Sequence, residues 1–187
     1  NLSGATDNYK LYVTVRQANA GRKSKTLEED ESETLTTKKN VTKPKITLAQ
    51  ADVLNLVDVR MTPGDYATYN DANSISIKDR YTLDNGQRST HYQAATISLI
   101  PGKKAPIGAI KIIYDYFSHG STGNYFSVDS YTTDAAIDYE DIPTANLTTG
   151  REVNLSDVLD FRPVISGSNT TDIEFPKIGE DASTSFS

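Results

Sequence analysis

An all-β fold, an antiparallel β-sandwich with long polar loops, is what this chain predicts, and three observations carry the expectation. Aromatic and β-branched residues cluster in short runs, such as residues 94–100 (AATISLI) and 109–117 (AIKIIYDYF). That is strand composition. Gly, Pro, Asn and Asp punctuate the runs, supplying the backbone conformations that turns need. Finally, 22 Thr, 17 Ser and 12 Asn among 187 residues weigh against helix interiors, because their side chains compete for backbone hydrogen bonds.

The first strand is expected at residues 9–15 (YKLYVTV), with Leu11, Val13 and Val15 on one face. Residues 16–45 are polar and include the run Glu28-Glu29-Asp30-Glu31, read as a solvated loop or hairpin tip; Leu27 and Leu35 allow a pair of weak edge strands. Next come a strand at 45–48, a turn at 49–52 and a strand at 53–61, ended by Thr62-Pro63-Gly64-Asp65. A polar loop follows, with a short strand at 75–77. Asp84-Asn85-Gly86-Gln87 is a tight turn, since Asn and Gly both tolerate positive φ.

The runs at 94–100 and 109–117, joined by the Pro- and Gly-containing segment 101–108, are expected to form the principal antiparallel pair. After a turn at 118–123, a strand resumes at 125–128. Residues 132–149 are polar. The segment 153–159 suits a strand or a helical turn capped by Asn154 or Ser156. Pro163 biases the residue before it toward extended backbone. Six to nine short strands of this kind fit a sandwich of immunoglobulin-like proportions with at most one or two short helical turns. The expected organisation is an N-terminal strand plus polar linker or hairpin (1–45), a sandwich core (46–166) and a linker-like tail (167–187). Both ends read as cut from a longer chain.

Composition excludes several functions. With 25 carboxylates against 19 Lys and Arg, the net charge of −6 repels duplex DNA and anionic lipid. The absence of cysteine removes disulfides, thiolate nucleophiles and Cys-ligated metals, and favours assembly in a reducing cytoplasm. No apolar run approaches the ~20 residues of a membrane helix, so neither nucleic acid nor membrane insertion is expected.

Reaction chemistry is equally sparse. His91 and His119 are the two histidines, and both are expected as exposed or hydrogen-bonded loop residues rather than metal ligands. Ser118, His119 and Asp115 or Asp129 make a triad on paper, yet Gly120-Ser121-Thr122-Gly123 is one residue short of a nucleophile elbow. Asp134, Asp138, Glu140 and Asp141 offer carboxylate pairs for glycoside cleavage or oxygen ligands for calcium, but read first as an acidic surface loop. No catalytic, cofactor or metal residue is assigned. Tyr114, Tyr116, Tyr125, Tyr131 and Tyr139 are candidates for an aromatic binding surface. Asp84, Asn85, Gly86, Asp115, Asp160 and Arg162 are expected as structural anchors, with Asp115 paired to Arg80 or Arg162 if buried.

Several motifs carry a likeness: Asp-Arg-Tyr-x-Leu-Asp-Asn-Gly-Gln-Arg from residue 79, Tyr-Asp-Tyr-Phe-x-His-Gly from 114, Tyr-Phe-Ser-Val-Asp-Ser-Tyr from 125, Tyr-Glu-Asp-Ile-Pro from 139 and Leu-Asp-Phe-Arg-Pro from 159. In this order they resemble tail-associated virion proteins, of baseplate or tail fibre, from contractile-tailed phages of marine cyanobacteria. The likeness spans the central and C-terminal two thirds of the chain. It implies a non-catalytic building block of the virion tail, assembled in the host cytoplasm, whose partners are other virion proteins and copies of itself. A carbohydrate-binding module at a fibre tip, contacting a host surface glycan, and a glycan-degrading tail enzyme are the other implied roles.

Overall fold

The computed structural model describes residues 20–146 and 150–164. Nine strands are named among them: β1 (Lys25–Leu35), β2 (Lys45–Ala51), β3 (Val53–Met61), β4 (Ile75–Ser76), β5 (Tyr81–Asp84), β6 (Ala94–Leu99), β7 (Ile110–His119), β8 (Thr144–Asn146) and β9 (Glu152–Asn154). They form a four-stranded sheet in the order β1-β7-β3-β4, a three-stranded sheet in the order β2-β6-β5, and the small hairpin β8-β9. Every ladder between named strands is antiparallel. The two larger sheets pack against each other as an all-β sandwich. A one-turn α-helix (Lys38–Val41) and a π-turn (Ser130–Asp134) are its two small helices, accompanied by three-residue 3-10 turns.

Strand β7 is the spine. Its β-branched and aromatic residues pair with β1 on one side and β3 on the other. Period-two alternation sends Ile110, Ile112 and Tyr114 into the main core, with Val53, Val59 and Met61 of β3 and Ile46, Leu48, Ala95 and Ile97 from the opposing sheet. Phe117, on the other face of β7, is buried in a second cluster with Tyr131, Ala135, Ile142, Ala145 and Leu155. The four-stranded sheet is therefore covered on both faces near the end of β7. The second cover comes from the segment after residue 125.

Several expectations are corrected. The acidic run is no loop or hairpin tip: residues 25–35, where Leu27 and Leu35 allowed a pair of weak edge strands, form the single edge strand β1, and the run lies on it. A bulge sets Glu29 and Asp30 opposite Asp115, with Asp30 at φ 55° and its N–H donating to Asp115 Oδ1 at 2.9 Å. Carboxylates on an exposed edge also guard it against pairing with another sheet. The runs at 94–100 and 109–117 are not partners. β6 lies between β2 and β5, whereas β7 lies in the other sheet, so residues 101–108 cross between layers. Both strands are buried centre strands with two neighbours each, which a hairpin reading from sequence adjacency cannot supply. Residues 125–128 form isolated bridges instead of a strand: Tyr125 with Arg22, and Phe126 with Asp160.

Other expectations agree with the strands found. β3 occupies residues 53–61, and the turn before it narrows to Asp52, at φ 54°. The segment at 153–159 is both things expected of it, a strand followed by a 3-10 turn at Leu155–Asp157, although neither Asn154 nor Ser156 caps that turn through its side chain. The strand expected at 9–15 and the tail after 167 lie outside the described residues.

Candidate functional site

Where β2 leaves one sheet and β3 enters the other, the chain turns at Asp52, and its carboxylate is 1% exposed. The backbone carbonyl of Asp52 accepts the Phe117 N–H at 3.0 Å, which anchors the turn to the end of β7. Two residues further along β7, His119 faces Lys25 of β1 across the ladder. Both side chains converge on one carboxylate oxygen. Asp52 Oδ2 accepts from Lys25 Nζ and lies 2.7 Å from His119 Nε2, while Oδ1 accepts from Gln87 Nε2 at 3.0 Å.

Lys25 is fully buried. Aromatic rings enclose its ammonium: Phe126 at 4.4 Å from the ring centroid, Tyr131 at 4.5 Å, Tyr92 at 4.9 Å and Phe117 at 5.2 Å. Cation–π attraction offsets part of the lost hydration. The rings brace one another, His119 against Phe126 at 4.6 Å and Phe117 edge-on to Tyr131 at 5.3 Å.

A second ion pair adjoins the first. Arg162 holds Asp160 through two parallel bonds, Nε to Oδ1 at 2.9 Å and Nη2 to Oδ2 at 2.7 Å, the fork geometry that a guanidinium matches best. Its remaining donors reach the Arg88 carbonyl at 2.7 Å and Gln87 Oε1 at 3.2 Å. The guanidinium also lies over the Tyr92 ring at 4.4 Å, and the Tyr92 hydroxyl donates to Asp160 Oδ2. Gln87 thereby bridges the two pairs, giving its amide N–H to Asp52 and its carbonyl oxygen to Arg162.

Burial sets the protonation of these groups. It pushes the Lys25 ammonium down and the Tyr92 hydroxyl well up. Burial would also raise Asp52, but the Lys25 charge and the His119 ring outweigh it and hold the carboxyl at about 2. Desolvation lowers His119 despite the hydrogen bond to Asp52. Against its own burial, Asp160 is held below the ordinary carboxylate range by Arg162 and Tyr92. Buried charges of this kind are tolerated only when paired and hydrogen-bonded. The cluster meets that condition by drawing together β1, the β2–β3 turn, the end of β7 and the segments around residues 87–92, 126–131 and 160–162.

The other predicted residues fare differently. The triad does not assemble: His119 takes Asp52, while Ser118 Oγ donates to Glu28 at 3.0 Å. Nor is His119 a loop histidine, since it closes β7; His91 is half-buried and meets Thr90 at 2.9 Å. Asp115 pairs with neither Arg80 nor Arg162. It is partly exposed and accepts from the Asp30 N–H and from Asn55 Nδ2 at 2.7 Å. Asp134 and Asp129 both hold Arg22 at 3.1 Å. Among the described residues no three His, Asp or Glu side chains converge as a metal-ligand set.

The predicted aromatic surface loses two of its five members, because Tyr114 and Tyr131 are buried completely. Tyr114 donates its hydroxyl proton to Glu33 at 2.6 Å. Tyr139 is exposed, and Tyr116 and Tyr125 are partly so. The Asp84-Asn85-Gly86 turn does have the expected turn chemistry. Gly86 is at φ 81°, and the Asp84 and Asn85 side chains accept the N–H groups two residues on, at 3.2 and 3.1 Å. Elsewhere Leu54, Leu56, Tyr81 and Leu83 line an open cleft of about 750 Å³ with Lys78 and Asp79.

Sequence reasoning missed Lys25, Asp52, Gln87 and Tyr92. Asp52 carried the one usable signal, a polar break between two strand-like runs. A lone lysine in a polar stretch carries none. No protein-family model, curated protein or solved structure matches the chain.

Proposed function

We propose that this chain is a non-catalytic structural module of a bacteriophage virion, in the baseplate or tail fibre, working through contacts with other virion proteins and with copies of itself. One observation supports the reading. The motifs that carry the likeness to phage tail proteins contribute Gln87, Phe117, His119, Phe126, Tyr131, Asp160 and Arg162, and these residues build the buried cluster. Residues that carry the likeness thus join Lys25, Asp52 and Tyr92 in holding the sandwich to its C-terminal segments, a structural role. None of them presents a reactive group at the surface.

An antiserum against the chain tests the placement. Density-purified tailed particles carrying this sequence are expected to contain the chain, with immunogold at the distal tail, and the purified chain is expected to associate as a trimer or hexamer. A chain confined to the soluble fraction of infected cells, and monomeric there, overturns the reading.

A glycan-binding role is the second reading, favoured by Tyr125 packing at 5.4 Å on Phe161, which is 52% exposed. Retention of the chain on a glycan array, lost in Phe161→Ala, would move the assignment to that class.

A further inference from the structure

We propose that Lys25 and Asp52 are partners of an intramolecular isopeptide bond, formed once in each folded chain with release of water. The groups required converge on one carboxylate. Lys25 Nζ hydrogen-bonds Asp52 Oδ2, which holds the nucleophile beside the carboxyl group whose carbon it has to attack. Such positioning replaces a bimolecular encounter with an intramolecular one. Gln87 Nε2 donates to the other oxygen, Oδ1, at 3.0 Å, where negative charge grows when the amine adds to the carboxyl carbon. His119 Nε2 lies 2.7 Å from Oδ2, the oxygen that has to leave.

The step balances without an outside reagent. Lys25 passes one ammonium proton to Asp52 Oδ2 within the ion pair, giving a neutral amine beside a neutral carboxylic acid. The amine lone pair attacks Cγ, the carbonyl π electrons move onto Oδ1, and Gln87 stabilises that oxyanion. His119 carries a second proton from the attacking nitrogen to Oδ2. The C–Oδ2 bond breaks, the carbonyl re-forms and water departs. Both hydrogens of that water come from Lys25, and the amide N–H keeps the third. One positive and one negative charge disappear together.

The surroundings favour this product. Four aromatic rings around Nζ exclude the solvent that would stabilise the separated ions and hydrolyse the amide. A dry site penalises an ion pair more than a neutral amide. Asp160 and Arg162, the nearest other charges, neutralise each other, so neither is free to replace a partner in the Lys25–Asp52 pair. The bond would tie edge strand β1 to the β2–β3 turn across 27 positions of a chain that has no cysteine for a disulfide.

Intact-mass spectrometry of the full, purified chain under denaturing conditions tests this directly. The mass is expected to fall below the sequence mass by one water, and proteolysis is expected to yield a branched peptide joining Lys25 to Asp52. Asp52→Asn should cross-link with loss of ammonia and reach the same final mass as the cross-linked wild type. Lys25→Arg should keep its full sequence mass. His119→Gln should form the bond about a hundredfold more slowly or worse, the usual scale of a lost proton relay. A wild-type chain that melts cooperatively yet keeps its unmodified mass overturns the proposal, as does a branch point at any other pair. None of these readouts depends on whether the chain belongs to a virion.

Discussion

Arg162 sits over the Tyr92 ring, its guanidinium carbon 4.4 Å from the ring centroid, and both side chains grip the carboxylate of Asp160. Around this contact Asp160 and Phe126 exchange both backbone hydrogen bonds, at 2.8 and 2.9 Å, and the Tyr92 N–H donates to the Pro163 carbonyl at 2.7 Å. A segment distant in sequence is thus fastened to the sandwich by charge, stacking and backbone at one point.

Removing the guanidinium tests that fastening. Arg162→Ala leaves the buried Asp160 charge without its partner, which costs about 3–5 kcal/mol. At roughly 2–4 °C per kcal/mol for a chain of this size, the melting temperature should drop on the order of 10 °C. Arg162→Lys should recover less than half of the loss, because an ammonium cannot make the two parallel bonds. Thermal melts followed by circular dichroism measure both. Equal recovery by lysine would mean that charge alone matters.

Stability should fall with acid in two stages. His119 has an ordinary value of 6.5 and is lowered by burial, so below pH 6.5 the unfolded chain binds a proton that the folded chain resists. Its contribution is complete above 6.5 and is lost as the pH falls toward the folded value. Asp160, ordinarily 3.8 and lowered by its partners, adds a second loss below pH 3.8. Urea titrations from pH 8 to 3 should show both stages, and His119→Gln should abolish the first while the loss due to Asp160 remains. A flat profile from pH 7 to 5 would remove His119 from the account.

Two turn glycines should respond differently to alanine. Gly86 has φ 81°, and a Cβ there would sit 2.0 Å from the Gln93 carbonyl oxygen. Gly86→Ala should therefore cost clearly more than the ~1–2 kcal/mol of the left-handed backbone conformation alone, because backbone has to move as well. Gly102 has φ 86° with open space around it. Gly102→Ala should pay the left-handed backbone cost alone, roughly 1–2 kcal/mol. Denaturant midpoints of the two variants give the comparison.

The β1 bulge depends on one carboxylate. Asp115→Ala removes the acceptor for the Asp30 N–H and the Asn55 amide. At this partly exposed site the expected loss is about 0.5–1.5 kcal/mol. Hydrogen exchange at the Asp30 amide should quicken more than exchange at Leu35, farther along the same strand. Uniform quickening along β1 would mean that the carboxylate does not hold the bulge locally.

What the sequence by itself determined here is local. Runs such as 53–61 and 94–99 form strands because their β-branched and aromatic residues suit a pleated, half-buried surface. The turn at Asp84-Asn85-Gly86 and the break at 62–65 likewise follow from residues whose backbone preferences act without distant partners. Pairing was another matter. β6 and β7 are neighbours in sequence but lie in different sheets, and nothing within either strand encodes which edge it meets. The acidic run on β1 read as a loop because a charged edge strand has no periodic apolar face.

The buried cluster was least legible of all. Lys25, Asp52, Gln87, Tyr92 and His119 each look like ordinary residues alone, and an expectation of anchors at Asp160 and Arg162 does not say what they hold. Tertiary structure decided their role, because a charge is buried or solvated only by what other segments bring around it. Those segments converge only after both sheets and the chain beyond residue 125 have packed.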